Sequence, residues 1–225
     1  MKKLFFLAAV LIVSNAFAQQ EQPLSLVNVT GEGIVKIVPD KVVINARVEH
    51  TGKSATEVKA QNDQVVSRIL EYLKSEGISP ENFQTEYIRL NKDYNYNTKE
   101  SFYSANQAIS ILLEDLERYE EIMSGLLSNG LNRIDGIEFQ TSQKEALEAE
   151  ARVEAVQNAK EKAQEYAGAL DQEIGEAHMI NEIETGGGPV PLYRMADMAE
   201  SSQAKTIAPG EMEVRVRVQV SFFLK

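Results

Sequence analysis

Between Ser142 and Leu170 the chain carries an alanine-rich run that few folds can accommodate. Small or apolar residues recur at Ala146, Ala149, Val153, Val156, Ala159, Ala163, Ala167 and Leu170, steps of three and four that mark one face of an α-helix. Its other face is charged. Ser142 followed three residues later by Glu145 reads as a capping box, and Gly168 falls near the expected end. At 1.5 Å of rise per residue the run is about 43 Å long, so it requires a covering surface of similar length. An extended Met212–Leu224 would reach about 44 Å, which makes a long sheet a fitting partner.

The first eighteen residues are set apart as a signal peptide. Lys2 and Lys3 precede the apolar run Leu4–Val13, and Ala16-Phe17-Ala18 supplies a small-x-small cleavage pattern. Such a core is too short for a membrane span, and no later segment reaches the apolar length of one. The expectation is an exported chain of the periplasm, with peripheral association with the outer membrane as the membrane contact still open to it. There is no cysteine, hence neither a disulfide framework nor a lipid-attachment thiol. The formal net charge is −11 over the full sequence. A surface of that sign repels nucleic acid, so no nucleic-acid partner is expected.

From residue 19 to residue 225 the chain reads as a single domain. Leu24–Val38 is strand-like and is interrupted by Thr30-Gly31-Glu32-Gly33, two glycines of the kind that mark a bulge or a close backbone approach. Pro39-Asp40 turns into a second strand, in which Val42, Ile44, Ala46 and Val48 alternate with polar residues, and the two strands are expected to form a hairpin. Ser54 with Glu57 caps a helix to about Ser75, whose apolar stripe includes Asn62, expected to be buried and bonded to backbone. Strands follow at Phe83–Tyr94 and from Tyr103, then a helix capped by Asp115, a strand at Ile134–Thr141, the alanine helix, and a strand at Ile174–Ile183. A long loop over 186–209 leads into the closing strand, which places Val214, Val216, Val218, Val220, Phe222 and Leu224 on one face. The fold class is α+β: a long, largely antiparallel β-sheet packed against helices, in the order ββαββαβαββ.

Chemistry is harder to find. His50 and His178 stand far apart, without a His-Glu-x-x-His pattern or any Cys ligand, so no metal is expected. Neither a Gly-x-Ser-x-Gly elbow nor a glycine-rich phosphate loop opening a helix is present, and no cofactor is expected. Two groups of residues remain as contact candidates. Tyr94, Tyr96, Phe102 and Tyr103 flank a hairpin turn and suit either cross-strand packing or stacking on a ligand. Tyr193, Met195 and Met198 make the 186–209 loop less polar than a linker.

Taken in order, Val29-Thr30-Gly31-Glu32-Gly33, Pro39-Asp40, Asn82-Phe83-Gln84-Thr85, Leu90-Asn91-Lys92-Asp93-Tyr94, Ala151-Arg152-Val153-Glu154-Ala155-Val156 and Pro209-Gly210-Glu211 resemble the SIMPL-domain family. That family includes periplasmic and outer-membrane-associated immunogenic proteins of bacteria. The resemblance implies an α+β domain, export to the cell envelope, self-assembly into a homo-oligomer, and a role in envelope integrity or oxidative-stress tolerance. It implies no enzyme activity and supplies no catalytic residues. Two further readings stay open: a periplasmic module holding a small ligand or glycan at the Tyr94–Tyr103 hairpin, and a hydrolase using paired carboxylates.

Overall fold

The structure is a computed structural model that describes residues 24–183, 190–192 and 207–225. Its strands are β1 (Leu26–Ile37), β2 (Lys41–Gly52), β3 (Phe83–Asn95), β4 (Glu100–Leu113), β5 (Arg133–Gln140), β6 (Ile174–Ile183), β7 (Val190–Leu192) and β8 (Glu211–Leu224). The helices are α1 (Ala55–Ser75), α2 (Tyr119–Ser128) and α3 (Lys144–Gly168). The α+β class and antiparallel pairing are as expected, with the three-residue β7 added to the order of elements. The expected signal peptide and the Tyr193, Met195 and Met198 contacts lie outside the described residues.

The strands divide between two sheets. One runs β1-β8-β6, with β7 also on β8; the other runs β3-β4-β2-β5. The expected β1–β2 hairpin does not form. Every residue of β1 from Leu26 to Ile37 pairs with β8, while both edges of β2 are taken by β4 and β5. Pro39, which lacks an amide proton, falls in the crossing between the two sheets, where no ladder bond is required of it. Residues 41–140 therefore form a module of their own, inserted between β1 and α3.

In the inserted module, Val42, Ile44, Ala46 and Val48 of β2 and Ile109, Ile111 and Leu113 of β4 are buried beneath Val65, Val66, Ile69 and Leu73 of α1 and Ile122 and Leu126 of α2. Ser54 caps α1 by accepting the Glu57 amide, and Asp115 accepts the Glu117 amide to open the short 3-10 turn that runs into α2. Asn62 is buried within this core, and its Nδ2 donates to the carbonyls of Val48 at 2.8 Å and Ala105 at 3.2 Å. The buried amide thus finds two backbone acceptors, one on β2 and one on β4.

The other module is built on close approach. The stripe that α3 buries is Leu147, Ala151, Ala155, Ala159, Ala163 and Ala167, a strict row of every fourth residue. Ala146, Ala149, Val153 and Leu170, expected on that face, are exposed. The row is selected by β1. A Cβ placed on Gly31 would sit 1.9 Å from the carbonyl oxygen of Ala155, and one on Gly33 would sit 2.0 Å from that of Ala151. Only glycine leaves room for helix backbone to rest on strand backbone, so the glycines mark the close approach that the sequence suggested. Val214, Val216, Val218 and Val220 of β8 complete the floor.

Ser142 does not cap α3. Its amide donates to Asp40 at 2.8 Å and its hydroxyl binds the other oxygen of the same carboxylate, while the N-cap position is Gln143 without a side-chain bond. Ser142 instead ties the exit of the inserted module to its entry.

Candidate functional site

Two local regions merit attention as sites: the β3–β4 hairpin and a crevice at the joint between the modules.

The hairpin starts inside the core and ends outside it. Phe83 packs on the main cluster, and the ladder with β4 shifts at a bulge between Thr85 and Tyr87, then runs unbroken from Tyr87↔Ala108 to Asn95↔Glu100. β2 stops supporting β4 at Gly52↔Tyr103, so the rungs from Asp93↔Phe102 onward form a two-stranded ribbon. At the turn, Asn95 Oδ1 accepts the amides of Asn97 and Thr98 at 2.9 and 3.3 Å, and Lys99 takes a φ of 56°, a left-handed position.

Strand alternation puts Ile88, Leu90, Lys92 and Tyr94 on the face of the sheet that carries the helices, but past the cover the helices give. Ile88 is 61% exposed, Leu90 43%, Tyr94 48% and Tyr96 85%. Tyr94 and Tyr96 meet edge to face with ring centroids 5.2 Å apart, and Lys92 Nζ lies 6.0 Å from the centre of the Tyr103 ring. Phe102 falls on the opposite face, where it borders a cavity of about 400 Å³ with Thr51, Gly52, Lys53, Asn95, Thr98, Glu100 and Ser101. The four aromatics expected as contacts therefore do not converge on one pocket. Two pair at the tip, one stands beside Lys92, and one lines the cavity. Ile88 and Leu90 were missed by sequence reasoning, which placed them within the strand Phe83–Tyr94 and no more.

On the helix-free face of the same sheet, Arg47 Nε donates to Asp135 at 2.8 Å, and Arg133 reaches both Asp135 and Glu49. The hydrogen bond from Arg47 is the main cause that holds the Asp135 carboxyl below its ordinary range, outweighing the effect of burial. Arg89 lies over the Tyr87 ring at 4.4 Å. Across β1 and β8, Arg217 and Arg215 bond Glu32 and lower its pKa in the same way, Arg217 foremost.

The joint holds a crevice of about 350 Å³ lined by Val38, Pro39, Asp40, Asp115, Leu116, Glu117, Glu120, Ile207 and Pro209. Its carboxylates suggest paired-acid chemistry, but Asp40 is engaged by Ser142 and Asp115 by the Glu117 amide. Burial works to raise the Asp40 pKa, and the hydroxyl and amide of Ser142 outweigh it, so the group is held below the usual carboxylate range. A general acid needs the opposite shift. The histidines are also placed structurally: His50 Nδ1 lies 3.4 Å from Asn62 Nδ2, and His178 stacks edge-on against Phe223 at 5.1 Å. Among the described residues no cluster of three His, Cys, Asp or Glu side chains has the spacing of a metal site.

Residues 27–222 match the family described as SIMPL, protein of unknown function (DUF541). The chain belongs to the SIMPL family. The match takes in β1 through most of β8 and so spans both modules. Among relatives, the uncharacterized protein YggE of Escherichia coli (strain K12) is 28% identical over 230 residues, covering 99% of this chain and 94% of that protein. The 26 kDa periplasmic immunogenic protein of Brucella melitensis biotype 1 is 28% identical over 225 residues, 93% of this chain and 90% of that protein. A mouse relative, interleukin-1 receptor-associated kinase 1-binding protein 1, is 28% identical over 163 residues, 71% of this chain and 60% of that protein. Among the described residues no helix is long and apolar enough to cross a membrane.

Proposed function

We propose that this SIMPL protein is an exported, non-catalytic component of the bacterial cell envelope that self-assembles and supports envelope integrity or oxidative-stress tolerance. The observation that carries the assembly reading is the apolar strand β3, which among the described residues pairs only with β4, so that its Ile88, Leu90 and Tyr94 stand exposed on a strand edge. Such an edge is costly to leave open and is commonly satisfied by another chain. Support for the location comes from the signal-peptide pattern of residues 1–18 and from the periplasmic name of the Brucella relative. The non-catalytic reading draws on the structural engagement of Asp40, Asp115, His50 and His178.

Light scattering on the purified protein at micromolar concentration tests the assembly. A mass above that of one chain is expected, and a strict monomer would refute it. Fractionation of the native host should recover the protein with the periplasm or outer membrane. A strain lacking it should tolerate peroxide or detergent less well, and an unchanged strain would remove the stress role.

A second reading, a ligand- or glycan-binding module, is favoured by the exposed Tyr94–Tyr96 pair at the hairpin tip. Replacing both tyrosines by alanine should then abolish retention on a glycan column while leaving the melting curve in place. Retention unaffected by that change would exclude the hairpin as the site.

A further inference from the structure

The edge that motivates assembly also constrains its geometry. Of the two edges of the inserted sheet, β5 is eight residues long and its ladder with β2 shifts at a bulge between Asn45 and Ala46. The ladder of β3 runs without a shift from Tyr87 to Asn95, and every residue of that stretch except Tyr87 is exposed. Edge strands are ordinarily blunted by proline, by a bulge or by charges placed on the inward face. Along this stretch of β3 the helix-side face carries Lys92 alone against Ile88, Leu90 and Tyr94.

We propose that two copies of the chain join β3 to β3, antiparallel, about a two-fold axis at Asn91, so that the two four-stranded sheets become one of eight strands. This rests on the self-assembly reading above and goes beyond it by naming the surface and the register. The register follows from face and charge. A symmetric pairing must set like faces together, which requires the axis to pass through a residue. With the axis at Arg89, the two guanidinium groups oppose one another. At Leu90, each ionised side chain meets an uncharged one. At Asn91, Arg89 faces Asp93 of the second copy twice, no like charges are opposed, and Ile88 faces Tyr94 across the seam. Asp93 spends one carboxylate oxygen on Ser104 Oγ at 2.8 Å and keeps the other, and Arg89 has no ion pair among the described residues. Leu90 of each copy then lies opposite the aliphatic stem of Lys92, and the exposed row on each hairpin becomes one apolar strip across both.

The chain has no cysteine, so a single introduced thiol reports its own neighbour. Asn91→Cys places two thiols on the axis with Cα atoms about 4.5–5.5 Å apart, within reach of a disulfide. Gln84→Cys, exposed on the same strand, would stand about 46 Å from its counterpart. Mild oxidation should therefore convert Asn91→Cys largely to a covalent dimer and leave Gln84→Cys monomeric on a non-reducing gel. Leu90→Lys places an ammonium opposite Lys92 of the other copy, twice per interface, and should weaken the dimer at least about tenfold in light scattering without moving the melting curve recorded at a dilution where both proteins are monomeric. If the unmodified protein is a monomer, both this proposal and the assembly reading fall. If it associates but Asn91→Cys does not cross-link preferentially and Leu90→Lys associates as before, assembly stands and the β3 seam is wrong.

Discussion

Gly31→Ala should be among the most damaging single-methyl changes in this protein, and the reason is contact between backbones. The added Cβ would lie 1.9 Å from Ala155 O, 2.7 Å from Ala159 N and 2.8 Å from the Ala159 methyl, whereas ordinary contact begins at 3.4 Å. No rotamer change relieves a clash with a carbonyl, so α3 must retreat by about 1.5 Å at that point, a shift beyond the range in which a core normally adjusts to overpacking. A gap of about 0.5–1 Å already forfeits a quarter to a half of each dispersion contact, and a buried methyl with about ten such contacts holds about 1–2 kcal/mol. Loss of more than half at Ala151, Ala155 and Ala159 comes to about 3 kcal/mol, the upper end of measured overpacking costs. With a urea slope of about 2 kcal/mol per molar, the midpoint should fall by about 1.5 M.

The assay is urea unfolding followed by far-ultraviolet circular dichroism, with amide exchange of α3 to localise the loss. Gly136→Ala is the control, because nothing lies within 4 Å of its added methyl. Gly33→Ala should cost a similar amount, since its Cβ would meet Ala151 O at 2.0 Å. The double substitution should cost less than the two singles together, because the first has already moved the helix. Ala159→Gly should not rescue Gly31→Ala, as it removes only the methyl contact and leaves the carbonyl. A shift for Gly31→Ala no larger than that of Gly136→Ala would refute the close-packed account.

Asn62→Leu removes the donor that serves the Val48 and Ala105 carbonyls and should lower stability by about 2–3 kcal/mol in the same titration, despite the gain in apolar volume. Asp135→Asn should cost about 1 kcal/mol near neutral pH, read as a difference in unfolding free energy. Because the native carboxyl is held below its ordinary range, its contribution is complete above the ordinary aspartate pKa of about 4 and disappears as pH falls through the depressed native value. The two proteins should therefore converge in acid, and a gap that persisted there would mean that the substitution acts through packing. Tyr96→Ser should leave the unfolding midpoint unchanged to within about 0.5 kcal/mol, since the ring is almost wholly in water.

How far the sequence could be read depended on the range of the interaction. Ser54 and Asp115 are caps in the structure because a cap needs only the next three residues. The alternation of β8 was legible for the same reason. Asn62 could be placed in the core because a polar residue on an apolar stripe has few other outcomes. The phase of α3 could not be read locally: alanines at 146 and 149 and at 151 and 155 allow more than one stripe, and the choice is made by Gly31 and Gly33, more than a hundred residues earlier. The same holds for Ser142, whose sequence neighbourhood suggests a cap but whose partner is Asp40. The hairpin aromatics were found as a group, while Ile88 and Leu90 escaped because exposure depends on how far the helices cover the sheet and not on the strand itself.

The path of the chain also bears on assembly. It enters the inserted module at Asp40 and leaves at Ser142, and these residues are joined by the Asp40 carboxylate, while Asp40 N donates to Gln140 O at 3.2 Å and Asp40 O accepts from Leu116 N at 3.3 Å. Both covalent links to the β1-β8-β6 sheet thus leave from one corner, at the start of β2 and the end of β5. Strand order puts β3 on the opposite edge of its sheet from β5, and β2 runs away from that corner toward the hairpin tip. Of the two edges of this sheet, the one that exposes Ile88, Leu90 and Tyr94 is therefore the one further removed from the connections that tether its module. A second copy pairing there, as proposed, would leave the close-packed glycine and alanine contacts of the other module undisturbed.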